Sequence, residues 1–362
     1  MHYSGKANDR PDSHDSVTRA WIAARLAGFL GYEVGGEYEP ERRYPGHLYF
    51  VPADTLMEEQ ARSLGISKVE DLFGGVVSHA FLATKAIFHP LMANAASPPG
   101  WARDFGSGLA DSVLHGYTAF SLEDARRAGR RLLEKGDARV KAVHGIGGRD
   151  QWVVTNAAEL DATLDAFDTD ALRSGGVVIE QNLEEVTTYS VGQVRVGDSL
   201  ASYTGTQRLT PNNHGLEVYG GSDLTVARGD YDALLELTLA PEFELAIERA
   251  RAFDAAVSAA YPGLLASRRN YDLAHGRDAA GKARFGLLEQ SWRMGGASSA
   301  EIMALEAFRE NRDLEAVQTC CVELYGEDPV IPPEATTYYS GIDKRAGRLT
   351  KYALIKDNGI AT

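Results

Sequence analysis

The sequence predicts a mixed fold, part α/β and part α+β, built as several lobes. Three observations carry that expectation. Short apolar strands alternate with amphipathic helices over roughly the first half of the chain. Longer strands then pair with their neighbours: Tyr189 to Val196 with Leu200 to Thr206 through Gly197 and Asp198, and Asn270 to Ser291 as a hairpin. With 362 residues, 44% hydrophobic and 24% charged, the chain can bury a large core without disulfides or a structural metal.

Taken in order, residues 1–15 are polar and read as a flexible tail without the apolar region of a signal peptide. Trp21, Ile22, Leu26, Phe29 and Leu30 have helical spacing, and Gly31 can end that helix. Residues 35–46 read as a loop, His47 to Val51 as a buried strand, and Leu56 to Leu64 as a helix capped by Gly65. The apolar stretch Val76 to Met92 predicts another helix. Residues 16–95 form a first α/β unit on this reading, followed by a linker rich in proline and glycine over 93–108.

Ser121 to Lys135 predicts a strong helix. Ser121 can cap it, Glu123 and Asp124 suit its amino end, and Arg130 and Arg131 its carboxyl end. Strands are expected over Arg139–Val143, Gln151–Thr155 and Gly176–Gln181, with a helix from Ala157 to Phe167. A long helix follows over Pro241 to Ala260. Ser298 to Arg309 reads as a helix opened by a capping box of Ser298 and Glu301. Strand-like pieces near Thr336–Tyr339 and Tyr352–Ile355 close the chain.

Charge narrows the function. Lys and Arg number 37 and Asp and Glu 51, a net charge of −14, which repels nucleic-acid backbones but not a small anion held by local donors. No apolar run reaches the roughly 20 residues of a membrane helix. The adjacent Cys320 and Cys321 offer no disulfide framework and fit a reducing cytoplasm. They fall in a stretch read as helical, as small buried hydrophobes.

Three constellations could carry chemistry. Lys141 lies on a strand before His144, Gly145, Gly147 and Gly148, a loop whose N–H groups can approach a phosphate; the plain alternative is a turn. Glu180, Gln181, Asn182 and Leu183 end an apolar strand and can present backbone groups to an adenine edge, or simply reach solvent. The hairpin is the most informative. Asn270 and Asp272 share one face of the first strand, and Leu287, Glu289, Ser291 and Arg293 share one face of the second. A turn near Ala280 sets Asp272 across from about Glu289. Paired carboxylates repel unless a cation lies between them, and oxygen ligands on strands suit Mg2+. Arg293 would point at the same place; the alternative is a solvated face with a Glu289–Arg293 ion pair.

The order of these pieces resembles the ATP-grasp superfamily, most closely its carboxylase and amide-ligase branch, over Val76 to Phe308. The whole also looks like an uncharacterised bacterial ATP-grasp-like family of unknown function. The resemblance implies a Rossmann-like preface lobe and two lobes clasping ATP, divided as 16–95, 96–180 and 181–362, the last with a carboxyl-terminal extension. It places Lys85 and Lys141 on the nucleotide, with His144, Gly145, Gly147 and Gly148 over its phosphates. Glu180, Gln181, Asn182 and Leu183 match the adenine linker. Asp272, Glu289 and Ser291 match the metal ligands, Ser291 standing where the motif Glu-x-Asn-x-Arg has Asn. Thr84 stands where Asp usually precedes the first lysine. Arg293 matches the motif's arginine, which with Lys141 is implied to be catalytic.

The implied reaction is ATP- and Mg2+-dependent ligation of a small carboxylate to an amine through an acyl-phosphate, releasing ADP and phosphate. Two rivals stay open: a non-catalytic nucleotide-binding or regulatory protein, motivated by Thr84 and Ser291, and a small-molecule kinase. The expected partners are small molecules, with no nucleic acid and no membrane; a homodimer stays open. The expected location is cytoplasmic. Loops at Arg208–Gly215 and Tyr219–Asp223, and the basic tail of Lys344, Arg345, Arg348 and Lys351, could face substrate or solvent.

Overall fold

The computed structural model describes residues 1–5, 10–143, 150–327 and 329–357. The chain opens on β1 (His2–Tyr3), α1 (His14–Leu30), β2 (Val51–Pro52), β3 (Leu56–Met57), α2 (Glu58–Ser63) and β4 (Gly75–Val77). β1 pairs parallel with β2, and β3 parallel with β4. The first residues, expected in a flexible tail, are therefore held in a small sheet. α1 starts where Ser13 Oγ accepts from Ser16 N at 3.2 Å, and it ends at Gly31, whose φ of 73° is left-handed.

The apolar stretch Val76 to Met92 is not the expected helix. After β4 it makes two short 3-10 turns, Ala80–Ala83 and Lys85–Phe88, the second capped by Thr84 Oγ1 accepting from Ala86 N at 3.2 Å. A helix exposed on one side needs a polar stripe. Here Val77, Phe81, Leu82, Ala86, Ile87 and Phe88 are all buried, so the chain threads the interior and turns where packing demands.

The next unit is β5 (Gly116–Ala119), α3 (Leu122–Leu133), β6 (Ala138–Ala142), β7 (Gln151–Val154), α4 (Ala157–Asp165), α5 (Thr169–Gly175) and β8 (Val177–Gln181). Its four-stranded antiparallel sheet runs β5-β8-β6-β7. Ala125, Ala128 and Leu132 of α3 and Leu160 and Leu164 of α4 cover one face, over Val140 and Ile179. Alternation along β6 and β8 turns Lys141 and Glu180 to the other face.

The largest unit contains β9 (Glu184–Val196), β10 (Ser199–Pro211), β11 (Glu217–Arg228), α6 (Tyr231–Leu235), α7 (Pro241–Ala260), β12 (Leu265–Ala266), β13 (Arg268–Arg277), β14 (Ala283–Ser291), α8 (Ser298–Glu310), β15 (Ala316–Tyr325), β16 (Thr336–Asp343) and β17 (Gly347–Asp357). Eight strands form one antiparallel sheet, β14-β13-β9-β10-β11-β15-β17-β16. α7 packs through Ile247, Phe253 and Val257 against Val191, Tyr271 and Leu273. α8 and α1 pack through Ala300, Leu305, Ile22 and Leu26 against the opposite face, over Val194, Tyr203 and Val226.

Two expectations change here. Cys320 and Cys321 are buried as expected, but on β15 and not on a helix. Val317, Thr319 and Val322 around them favour a strand, and the sheet supplies neighbours on both sides. The capping box of Ser298 and Glu301 does not form: Ala297 occupies the cap position of α8. Glu301 is drawn inward to a buried arginine instead, while Ser298 Oγ accepts from Gly295 N at 3.0 Å.

Gly205 on β10 shows how tightly the sheet closes. A Cβ there would lie 1.9 Å from the Asp223 carbonyl oxygen. Gly205→Ala is expected to destabilise by about 1–3 kcal/mol, because backbone must shift. A urea denaturation midpoint indistinguishable from wild type would contradict that close approach.

Candidate functional site

β8 turns Glu180 inward to a lysine and a histidine. Glu180 Oε1 meets Lys141 Nζ of β6, and Oε2 lies 3.0 Å from His89 Nε2. All three side chains are buried. Burial alone would raise the Glu180 carboxyl, but Lys141 and His89 outweigh it and hold it near 2, at about 2. Burial pulls Lys141 below the ordinary lysine value, with the Lys85 ammonium nearby pressing the same way.

The second half of the site comes from the β13–β14 hairpin. Asp272 and Glu289 are register partners, and a bulge between Asp272 and Leu273 follows at once. Lys85 Nζ, at the start of its 3-10 turn, lies 2.7 Å from Glu289 Oε2. Burial and the facing Glu289 carboxylate push Asp272 up to about 6, against the hydrogen bonds it accepts. Ser190 Oγ of β9 donates to Asp272 Oδ1 at 2.9 Å, and Asn270 Nδ2 donates to the same oxygen at 2.8 Å. Gln207 Nε2 of β10 in turn donates to Ser190 Oγ at 3.0 Å.

The structure thus gathers Lys85, Lys141, Glu180, Asp272 and Glu289 where the four-stranded sheet meets the eight-stranded one. Of the adenine-linker residues, Gln181 N donates to the His115 carbonyl and Asn182 N to the Asp137 carbonyl. Asn182 Oδ1 accepts from Arg139 Nη2 at 2.7 Å, and Leu183 is buried with Leu114 and Ala274. His144, Gly145, Gly147 and Gly148 lie outside the described residues. Arg293 Nη1 donates to the Met294 carbonyl at 2.8 Å, and its Nε lies 3.7 Å from Asp54 Oδ1. Ser291 Oγ donates to the Arg293 carbonyl at 3.3 Å and accepts from Arg268 Nη1 at 3.4 Å, so its hydroxyl is engaged away from the carboxylates.

A hard dication fits this donor set. Two carboxylates oppose each other, and burial together with the facing Glu289 raises Asp272 above its ordinary value. Among the described residues no group of three His, Cys, Asp or Glu side chains gathers around one point. The protein would therefore supply two carboxylates and leave further positions to phosphate oxygens and water, as Mg2+ prefers.

Sequence reasoning missed the support behind this pair. Arg268 and Glu301 form a fully buried ion pair, with Arg268 Nε 2.8 Å from Glu301 Oε2 and Nη2 2.7 Å from Oε1. Arg268 Nη1 also donates to the Ser291 carbonyl at 3.3 Å and to that of Arg293. The signal was present in the spacing: Arg268, Asn270 and Asp272 alternate onto one face of β13. His89 gave none, since a histidine before Pro90 reads as a helix end. Among the described residues no helix is long and apolar enough to cross a membrane.

Comparisons with known proteins follow this geometry. Residues 3–353 match the family model described as protein of unknown function (DUF3182). No curated protein sequence matches the chain. Among solved structures, biotin carboxylase from Campylobacter jejuni in its β-γ-ATP complex is similar at 12% identity, over 98% of this chain and 86% of that one, with a TM-score of 0.54. Phosphoribosylamine–glycine ligase from Thermotoga maritima is similar at 14% identity, over 97% and 90%, with a TM-score of 0.50. The chain spans 66% of the length of an N5-carboxyaminoimidazole ribonucleotide synthetase solved with ADP, at 13% identity, 71% of this chain and a TM-score of 0.42. The likeness is one of fold: this chain has the ATP-grasp fold.

Proposed function

The chain belongs to the DUF3182 family, whose function is unknown, and on that premise we propose that it is an ATP- and Mg2+-dependent carboxylate–amine ligase. The observation that carries the reading is that buried Lys85 pairs with Glu289, which faces Asp272, while buried Lys141 pairs with Glu180 alongside. The lobe division given above, with a first unit over 16–95, is part of the same reading.

A carboxylate oxygen of the first substrate attacks the γ-phosphorus of ATP, and the bond from that phosphorus to the ADP oxygen breaks. The amine nitrogen then attacks the acyl carbon. The carbon–oxygen bond to phosphate breaks, and the amine proton leaves with the phosphate or to water. Mg2+ when bound supplies charge neutralisation on the transferred phosphoryl group. Glu180 holds Lys141 in place while the ammonium faces the phosphates. Lys85 is held on Glu289 until a nucleotide competes for it. Arg293, held on the Met294 carbonyl and near Asp54, is assigned the stabilisation of the acyl-phosphate on the resemblance of its motif alone.

The first test is nucleotide binding. Lys141→Ala and Glu289→Ala are each expected to weaken Mg2+·ATP affinity by about 2 kcal/mol, roughly 30-fold, as for charged hydrogen bonds lost at a buried site. Calorimetric titration of folded protein checks this, and wild-type affinity in both variants would remove the site. Ligation is then separated from phosphorylation by adding hydroxylamine during turnover. An acyl-phosphate yields a hydroxamate; a stable phosphorylated product with no hydroxamate would identify a kinase.

A second reading, nucleotide binding without turnover, is favoured by one observation. Ser291 Oγ is engaged by Arg268 and the Arg293 carbonyl. Mg2+·ATP binding with no phosphate release for any carboxylate and amine pair would select it.

A further inference from the structure

The hydroxyl of Tyr203 on β10 is buried and stands between two oxygens. It lies 2.7 Å from Asn270 Oδ1 and 2.7 Å from Glu301 Oε1. A phenol carries one proton. Both Glu301 oxygens already accept from the Arg268 guanidinium. One of the two 2.7 Å contacts is therefore oxygen against oxygen without hydrogen, inside a water-poor core where that costs most.

A half-turn of the Asn270 amide removes the conflict. Its oxygen and nitrogen occupy nearly the same space, so packing is unchanged. Nδ2 then donates to Tyr203 Oη, Tyr203 donates to Glu301, and Arg268 donates to Glu301 as before. Every link has one proton. The same half-turn leaves the amide oxygen at the 2.8 Å separation from Asp272 Oδ1 that Nδ2 had. Two oxygens so placed need positive charge or a proton between them, and a bound dication supplies the first.

We propose that Asn270 is a further ligand of the divalent ion, and that its amide turns when the ion arrives. Without the ion, Nδ2 donates to Asp272 and covers its charge. With the ion, Oδ1 joins Asp272 and Glu289, and Tyr203 receives Nδ2. The position suits the role, because Asn270 is the register partner of Ser291, whose hydroxyl is engaged elsewhere. β13 thus supplies the oxygen that β14 does not. Tyr203 and the Arg268–Glu301 pair are positioning residues that hold the turned amide. The inference rests on the proposed metal site but not on ligase activity.

The test is a titration of Mn2+ into the whole protein with saturating ADP, following the free-ion paramagnetic resonance signal. Asn270→Ala is expected to weaken Mn2+ by about tenfold or more. Asn270→Asp, which keeps the shape and an oxygen but loses the donor, is expected to bind Mn2+ at least as tightly as wild type. Tyr203→Phe is expected to weaken it severalfold. An amide that only donates to Asp272 gives the reverse order, with Asn270→Asp the weakest binder, and that result overturns the proposal. Wild-type Mn2+ affinity in Asn270→Ala, with loss in Glu289→Ala, overturns the ligand while keeping the carboxylate site. Wild-type affinity in both removes the ion site itself. If Asn270→Ala fails to fold by circular dichroism, the near-isosteric Asn270→Asp decides alone.

Discussion

Glu301→Ala is expected to cost about 3–5 kcal/mol of stability. Arg268 cannot shed its charge, and Glu301 is its only carboxylate partner among the described residues. Burial works against the guanidinium, but Glu301 more than compensates and raises its pKa above the ordinary value. Removing that partner strands a cation with no water to receive it. The same arginine holds the Ser291 and Arg293 carbonyls, so the end of β14 should loosen too. Replacing both partners, Arg268→Met with Glu301→Leu, should restore most of the loss, because no charge is left buried. Denaturant unfolding of the three variants measures this. A loss under about 1 kcal/mol in Glu301→Ala would show that the pair is solvated.

Asp272→Asn is expected to stabilise the metal-free protein at pH 7.5 while abolishing metal-dependent nucleotide binding. The Asp272 carboxyl is raised to about 6 from its ordinary 3.8 by burial and by Glu289. Between those values the unfolded chain gives up its proton while the folded one keeps it. Stability from this group is therefore full below about pH 4, falls as pH rises through 4 to 6, and stays lost above. At about 1.4 kcal/mol per pKa unit the loss is about 1–3 kcal/mol, reduced where the carboxylate still accepts from Ser190 and Asn270. The neutral amide avoids that loss. Thermal melts at pH 4.5 and 7.5 should show the variant gaining on wild type only at the higher pH. Adding Mg2+ and ADP should raise the wild-type melt alone. Equal destabilisation of the variant at both pH values would mean that the carboxylates do not strain each other.

How much of this was legible in the sequence depended on range. Local signals were enough for α3, where Ser121 caps and an apolar stripe meets the sheet, and for the β13–β14 hairpin, where a turn-rich centre and period-two alternation paired Asp272 with Glu289. They failed where burial was complete. Val76 to Met92 has no polar stripe to set a period, so packing around Phe81 and Phe88 chose strand and short turns over a helix. Cys320 and Cys321 became strand because β11 and β17 flank them, a contact no local window contains. Glu301 looked like a cap, yet a carboxylate is worth more against a buried guanidinium than against one exposed N–H, and Arg268 lies 33 residues away in the chain. The sequence by itself determined which residues carry charge and which face of β13 they share. Only the tertiary structure decided that Lys85 would pair with Glu289 of the hairpin while Lys141 pairs with Glu180 alongside, since Lys141 and Asp272 are 131 positions apart and are brought together by sheet pairing and not by any local preference.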